Sequence, residues 1–398
     1  MKKSKYLKAV KDCLRWTEKV MLTFDRGYWG VYERIRIDQN ERVCHCRPDC
    51  SSELARVLQS YRETAGDERY NDVYENQIHW LQRVQNGEDK TNAGSFPFAM
   101  ADGTRKYYEI SITFPNDNGK VILNLLLLYE KTGNKDLLRM AVAAADYWAG
   151  IQREDGSFYD ENNKQFMHSE HRGACFVLWM MAAMYRCYRA AGEEKYLACG
   201  RKAFGLVRGW IRGGRMLTTM ETDSDEFWRP VSSENAIALY CFASAYECDF
   251  DAALLDCCKE IWPFTEGLID ACGAVRNCDE NTLAASENND QWLCDFVYTE
   301  GYALNAFIKL YTVTKEKRYL RRAEKLADWI VSVQCRGEND NWNGAWRGAY
   351  HLKEKRWAGR CNQRNEYLDE GGEFSVYTGW SAYPICIGLL DLVQIENQ

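Results

Sequence analysis

The sequence predicts an all-α chain folded as an (α/α)6 toroid, six helical hairpins closed into a ring, with small β pieces in the long loops on one face. Three observations predict it. A short tyrosine-led turn returns at near-regular intervals. An apolar helix precedes each turn and an amphipathic one follows it. An unpaired amphipathic segment opens the chain and an unpaired apolar segment ends it, and these two can form a sixth pair.

The turns read Tyr61-Arg-Glu-Thr-Ala-Gly66, Tyr129-Glu-Lys-Thr-Gly133, Tyr188-Arg-Ala-Ala-Gly192 and Tyr311-Thr-Val-Thr-Lys315, with a degenerate copy at Tyr246-Glu-Cys-Asp-Phe250. Their leading tyrosines lie 58 to 68 residues apart. Glycine ends a helix readily because it enters the left-handed region without a Cβ clash. Before the second turn, Gly119-Lys-Val-Ile-Leu-Asn-Leu-Leu-Leu-Leu-Tyr129 is apolar almost all round and belongs inside. After it, Asp136 to Trp148 is one-sided and belongs outside. The second helices close on Trp or Gln: Trp80 and Gln85, Trp148 and Gln152, Trp210, Trp329 and Gln334.

In chain order the outer ring is expected near 5–22, 68–85, 135–152, 194–211, 251–269 and 316–334. The inner ring is expected near 49–61, 117–129, 171–189, 233–247, 299–312 and 377–393. Residues 1–398 then make one domain. An open solenoid of helix pairs is the structural alternative, but its repeats are shorter, roughly 34–47 residues. Twelve helices also explain why 398 residues hold only six prolines.

Turns from inner to outer helix take few residues, whereas the return connections are long. Long loops in a compact fold usually carry function. Gly-aromatic pieces in them, Tyr28–Tyr32, Gly94–Phe98, Gly156–Tyr159 and Trp342–Trp346, are expected as short strands. All these loops gather at the N-terminal ends of the inner helices and rim one mouth. There the sequence sets Arg47-Pro-Asp49, with Glu53 a turn on, and Asn116-Asp117-Asn118. His168-Ser-Glu-His171-Arg172, Arg229 with Glu234-Asn235, Tyr298-Thr-Glu300 and Tyr377-Thr-Gly-Trp380 complete the set. Carboxylates favour helix N-termini as caps. Glu234 and Glu300, however, enter helices with apolar continuations, where a charge is costly without a task.

A mouth lined by carboxylates, Trp and Tyr suits a sugar, whose C–H face stacks on aromatic rings and whose hydroxyls take hydrogen bonds. Glycoside cleavage needs two carboxyl groups, one protonated and one ionised. Asp117 and Glu234 are the expected acid/base pair, with Glu300 and Asp49 as replacements. His171, Arg172 and Arg229 are expected to hold substrate, and Tyr298, Trp346, Trp380 and Tyr377 to stack on it.

In its hairpin pattern, over nearly the whole chain, the sequence resembles the six-hairpin glycosidase superfamily, which includes unsaturated glucuronyl hydrolases and N-acylglucosamine 2-epimerases. The resemblance implies a carbohydrate-active toroid. It also implies that an aspartate at the start of an inner helix, Asp117, is catalytic. At the third inner helix His171-Arg172 stands where an acid would be expected, and His168 with His171 echoes the histidine acid/base pair of the epimerases. The expected function is therefore a glycoside hydrolase acting on short, possibly uronic-acid-containing oligosaccharides. The alternatives are an epimerase or uronate lyase using His171 and Tyr298, a toroidal cyclase or prenyltransferase-like protein with an Asp-rich lipid pocket or a zinc site, and a non-catalytic sugar binder.

With 51 basic against 58 acidic residues the net charge is −7, which argues against nucleic-acid or membrane-surface partners. The basic start leads into no apolar signal core, so the 17 cysteines are read as free thiols and the expected address is cytoplasmic. Cys44-His45-Cys46 with Cys50 has metal-binding residue types, but its spacing is not that of a common zinc module, and no metal is expected. No phosphate loop, dinucleotide fingerprint or HExxH pattern is present, so no cofactor is expected either.

Overall fold

The computed structural model describes residues 2–23, 30–101, 113–158, 174–218, 221, 231–285, 290–359 and 371–396. The expected site residues His168, His171, Arg172 and Arg229 lie outside these, as do parts of all six long connections.

Twelve α-helices occur among the described residues. The inner six are α2 (Pro48–Ala65), α4 (Pro115–Thr132), α6 (Ala174–Ala191), α8 (Val231–Asp249), α10 (Glu300–Thr314) and α12 (Tyr383–Ile395). The outer six are α1 (Lys2–Trp16), α3 (Asn71–Val84), α5 (Lys135–Gly150), α7 (Glu194–Arg208), α9 (Ala252–Leu268) and α11 (Lys317–Ser332). Each inner helix packs on the next, and α12 packs back on α2, so the ring closes. Each outer helix lies on an inner partner, with α1 on α12. That last pair makes the fold an (α/α)6 toroid and rules out an open solenoid.

The local reasons match the sequence. Pro48 and Pro115 sit at the first helical position of α2 and α4, where their missing N–H costs nothing. Asn134 and Asp251 cap α5 and α9 by accepting from Asp136 N and Ala253 N. Gly66, Gly133 and Gly192 end α2, α4 and α6 with φ of 62°, 70° and 75°. Phe250 and Lys315 adopt the same left-handed cap, at φ 56° and 61°, so the turn geometry persists where glycine is lost. Residues Val231–Ala245 of α8 are all buried. In α11 burial follows Tyr319, Ala323, Leu326, Ala327 and Ile330, a single stripe.

Three small antiparallel sheets lie in the connections. Strand β1 (Tyr32–Arg36) is flanked by β2 (Glu41–Cys46) and β9 (Ser375–Tyr377), with β3 (Met100–Ala101) beyond β2. Strands β4 (Ile211–Arg212) and β5 (Arg215–Met216) form a hairpin. Strands β6 (Leu293–Asp295), β7 (Ala349–His351) and β8 (Arg356–Trp357) form the third sheet. The last inner helix begins six residues later than expected. The Thr378 hydroxyl bonds the carbonyls of Tyr32 and Glu33, which holds Tyr377 extended on β9, and a π-helical turn, Thr378–Ala382, follows before α12.

The Gly-aromatic pieces around Gly94, Gly156 and Gly344 are turns, and Phe158 alone makes a bridge, to Gln152. These glycines have φ of 86°, 93° and 100°, and a Cβ on any of them would collide with the backbone of the next outer helix, at Ala143, Lys202 or Asp12. The outer-helix glutamines explain the arrangement. The amide of Gln85 donates to Gly94 O and Met140 O, that of Gln152 to Gly156 O and Cys199 O, and that of Gln334 to Gly344 O and Ala9 O. One amide thus ties each loop to the following outer helix, and Gln334 makes the tie that joins α11 to α1.

At the turn end of the ring Arg186 of α6 is buried and pairs with Glu130 of α4 at 3.0 Å and with Glu247 of α8. Lys309 of α10 reaches Glu247 at 3.2 Å. Among the described residues no helix is long and apolar enough to cross a membrane.

Candidate functional site

The opposite end, where the inner helices begin, holds the buried polar cluster. Arg47, the residue before α2, sends one guanidinium edge to Asp49 at 3.1 Å and another nitrogen to Asp117 of α4 at 2.7 Å. Its third partner is Glu33 of β1 at 2.6 Å, and its plane lies 4.3 Å from the Phe98 ring centroid. Glu33 also binds Arg34 at 3.1 Å and His45. Arg34 in turn donates to the Tyr377 hydroxyl at 3.1 Å.

A second cation lies deeper. Lys120, a turn beyond Asp117, is 1% exposed and stands 3.1 Å from Glu53 and 3.5 Å from Asp49. Its ammonium is 3.5 Å from the centroid of Trp380, and Tyr302 donates to Glu53 at 3.2 Å. Ring contacts carry the layer onward: Trp380 meets Tyr298 and Tyr302, Tyr302 meets Trp179 of α6, and Trp179 meets Tyr240 of α8. Glu53, Lys120, Trp179, Tyr240, Tyr302 and Trp380 therefore bring all six inner-helix positions to one aromatic and ionic floor.

Burial dominates the protonation of these carboxyl groups. It pushes Asp117 up to about 7, with Asp49 adding to the shift and Arg47 and Lys120 opposing it. Burial likewise pushes Glu53 up to about 7 against the pull of Lys120. For Glu33 burial acts in the same direction, but His45, Arg47 and Arg34 outweigh it and hold the group well below the usual range.

Repeat equivalence explains the remaining acids. Asn118 takes the Phe96 N–H on its amide oxygen at 2.7 Å, and Asn235 takes the Met216 N–H at 2.9 Å. Glu300 takes the Val275 N–H at 3.0 Å and so does the work of an asparagine, pinning the loop before its helix. Buried there, it is pushed well above the ordinary carboxyl range. Asp117 and Glu234 each precede one of these asparagines, so they are equivalent positions in two repeats. Glu234 is wholly buried in the first turn of α8.

Among the expected binding residues, Trp380, Tyr298 and Tyr377 belong to this end of the ring. Trp346 packs elsewhere: it is fully enclosed and its indole N–H donates to Ile330 O at the end of α11. His45 faces Glu33, and no group of three or more His, Cys, Asp or Glu among the described residues could hold a metal ion. Lys120, Tyr302, Trp179 and Glu33 were not anticipated. A lone lysine inside the apolar run Gly119–Tyr129 was the signal for the first. The two aromatics read as core, and Glu33 sits in a strand with no distinguishing pattern.

No family model and no curated protein matches the sequence. Solved structures do match. A sugar epimerase from a ruminal bacterium superposes with a TM-score of 0.72 at 13% identity, covering 99% of each chain. An unsaturated glucuronyl hydrolase specific for heparin gives 0.68 at 12%, covering 100% of this chain and 98% of that one. A GH76 α-mannanase from Bacteroides thetaiotaomicron gives 0.65 at 12%, covering 99% and 97%. The chain shares their (α/α)6 toroid fold. These toroids include both hydrolases and epimerases, and identities this low carry the fold alone.

Proposed function

We propose that this toroid is a glycoside hydrolase acting on short oligosaccharides, uronic-acid-bearing ones among them, from one end of the chain. The observation that carries the reading is the pair Asp49 and Asp117 held on one buried guanidinium above a floor of Trp380, Tyr298 and Tyr302. Asp117 supplies the acid, since a carboxyl group pushed up to about 7 still holds a proton near neutrality. Asp49, faced by Arg47 and Lys120, supplies the carboxylate.

Support from the fold neighbours is of the same kind. One is an inactive variant of an α-1,6-mannanase of Salegentibacter, with two consecutive aspartates replaced by asparagine, in complex with α-1,6-mannotriose (TM-score 0.61, 10% identity). A separation of about 5–5.5 Å between the two carboxyl groups goes with retention and a wider one with inversion, so the anomeric form of the released sugar tells which pair acts. A panel of short glycans with product analysis tests the assignment. Hydrolysis releases a new reducing end, a lyase creates an ultraviolet-absorbing double bond, and an epimerase changes one stereocentre and releases nothing. Either of the last two outcomes sinks the proposal.

A further inference from the structure

A buried lysine in an apolar inner helix needs a reason, because removing an ammonium from water is costly and a methionine would fill the same space more cheaply. Lys120 is placed with care. Gly119 beside it leaves no room for a Cβ against the backbone of Trp179 and Met180, so α4 sits close on α6 and its register is fixed. The ammonium then reaches Asp49 and Glu53 on α2 while resting on the Trp380 face. The charged and titratable groups around it are Asp49, Glu53 and Cys50 from α2, Asp117 from its own helix and Tyr302 from α10, with Arg47 beyond Asp49. On the α6 side the neighbouring Gly119 lies against the backbone of Trp179 and Met180.

We infer that Lys120 is a positioning residue of the site, the fixed internal cation that decides how the axial carboxyl groups share their protons and keeps Asp49 turned toward the mouth. Two carboxyl groups on one buried ammonium cannot both be moved without uncovering it, so the cation orients them as well as charging them. The role deepens the hydrolase reading and takes its activity readout from it. Its electrostatic readout stands apart from that reading.

The test uses K120M and K120A in the full chain, with circular dichroism showing that each is folded and K120Q substituted for any that is not. Lys120 favours the ionised form of Asp117 and Glu53, so its loss moves their titration to higher pH. Carboxyl 13C signals of labelled K120M are expected to titrate about one unit or more above those of the wild type. On a substrate the protein turns over, kcat of K120A is expected to fall at least about tenfold, and ethylammonium to restore it saturably. Carboxyl titrations that coincide with the wild type, or a loss of kcat that ethylammonium leaves untouched, overturn the role of Lys120. Shifted titrations in a protein that hydrolyses no glycan keep that role and overturn the hydrolase reading alone.

Discussion

At the scale of single residues, three carboxyl groups whose protons burial retains differ in what they touch, and substitution distinguishes them. Asp117→Asn keeps the shape and the Arg47 contact but removes the proton. Turnover is expected to fall by at least about 10²-fold, the usual worth of a general acid. Because the acid form is lost as pH passes about 7, kcat/KM of the wild type should decline above that pH, and the decline should vanish from the residual activity of the variant. A pH–rate profile of both proteins checks this. Glu300→Gln is expected to leave the profile in place, since an amide oxygen accepts the Val275 N–H as well as a protonated carboxyl does. Glu53 makes a stability prediction. Its folded pKa of about 7 lies above the unfolded value of 4.5. Its favourable contribution is therefore complete below the unfolded value and lost as pH rises through the folded one. Melting temperatures of wild type and Glu53→Gln, measured from pH 5 to 8, should show the wild type losing ground steadily to the variant.

At the scale of elements, what was legible followed from local physics. Helix positions came from periodicity and from the Tyr-to-Gly turns, and they hold to within a few residues except at the start of α12 and the end of α1, where Thr17–Met21 is π-helical. Of the expected strand pieces, Tyr28–Tyr32 leads into β1 at its described end, through the Val31 bridge and Tyr32. The other three were misplaced because Gly-aromatic pairs suggest extended backbone when the real constraint is a tertiary one. Gly94, Gly156 and Gly344 are glycines because a helix backbone lies against them, and no local pattern carries that information. For the same reason Gln85, Gln152 and Gln334 were visible as a recurring ending but not as ties. The candidate site was legible where acids begin helices, as at Asp49 and Asp117, which the fold brings onto one arginine. It was illegible where its parts come from the middle of apolar runs, as with Lys120, Trp179 and Tyr302. Gln334→Ala removes two buried hydrogen bonds at the seam between last and first outer helix. The expected cost is about 1–3 kcal/mol, read by urea unfolding. Gln152→Ala, with the same bonds at a half-buried position, should cost less.

At the scale of the whole molecule, the ring divides its charges between two ends. At the turn end Arg186, Glu130, Glu247 and Lys309 neutralise one another across four inner helices, and burial of Glu247 is overcome by Lys309 and Arg186, which hold it down near 2. At the mouth end the balance is less complete, and Asp117 and Glu53 keep protons near neutrality. A closed ring allows this separation because its inner helices run from one end to the other, so different charged groups gather at each end. Arg186→Met tests the division. It leaves Glu130 and Glu247 without their shared partner, and since both carboxylates remain part-exposed the expected destabilisation is about 2–4 kcal/mol. Lys309 still covers Glu247, so the ring should close. At a temperature where the variant is fully folded its kcat/KM and pH profile should match the wild type, while Asp117→Asn should show the reverse, with activity lost and stability nearly kept. A changed pH profile in Arg186→Met would mean that the two layers are coupled through the helices and that the floor is not electrostatically independent of the turn-end ion pairs.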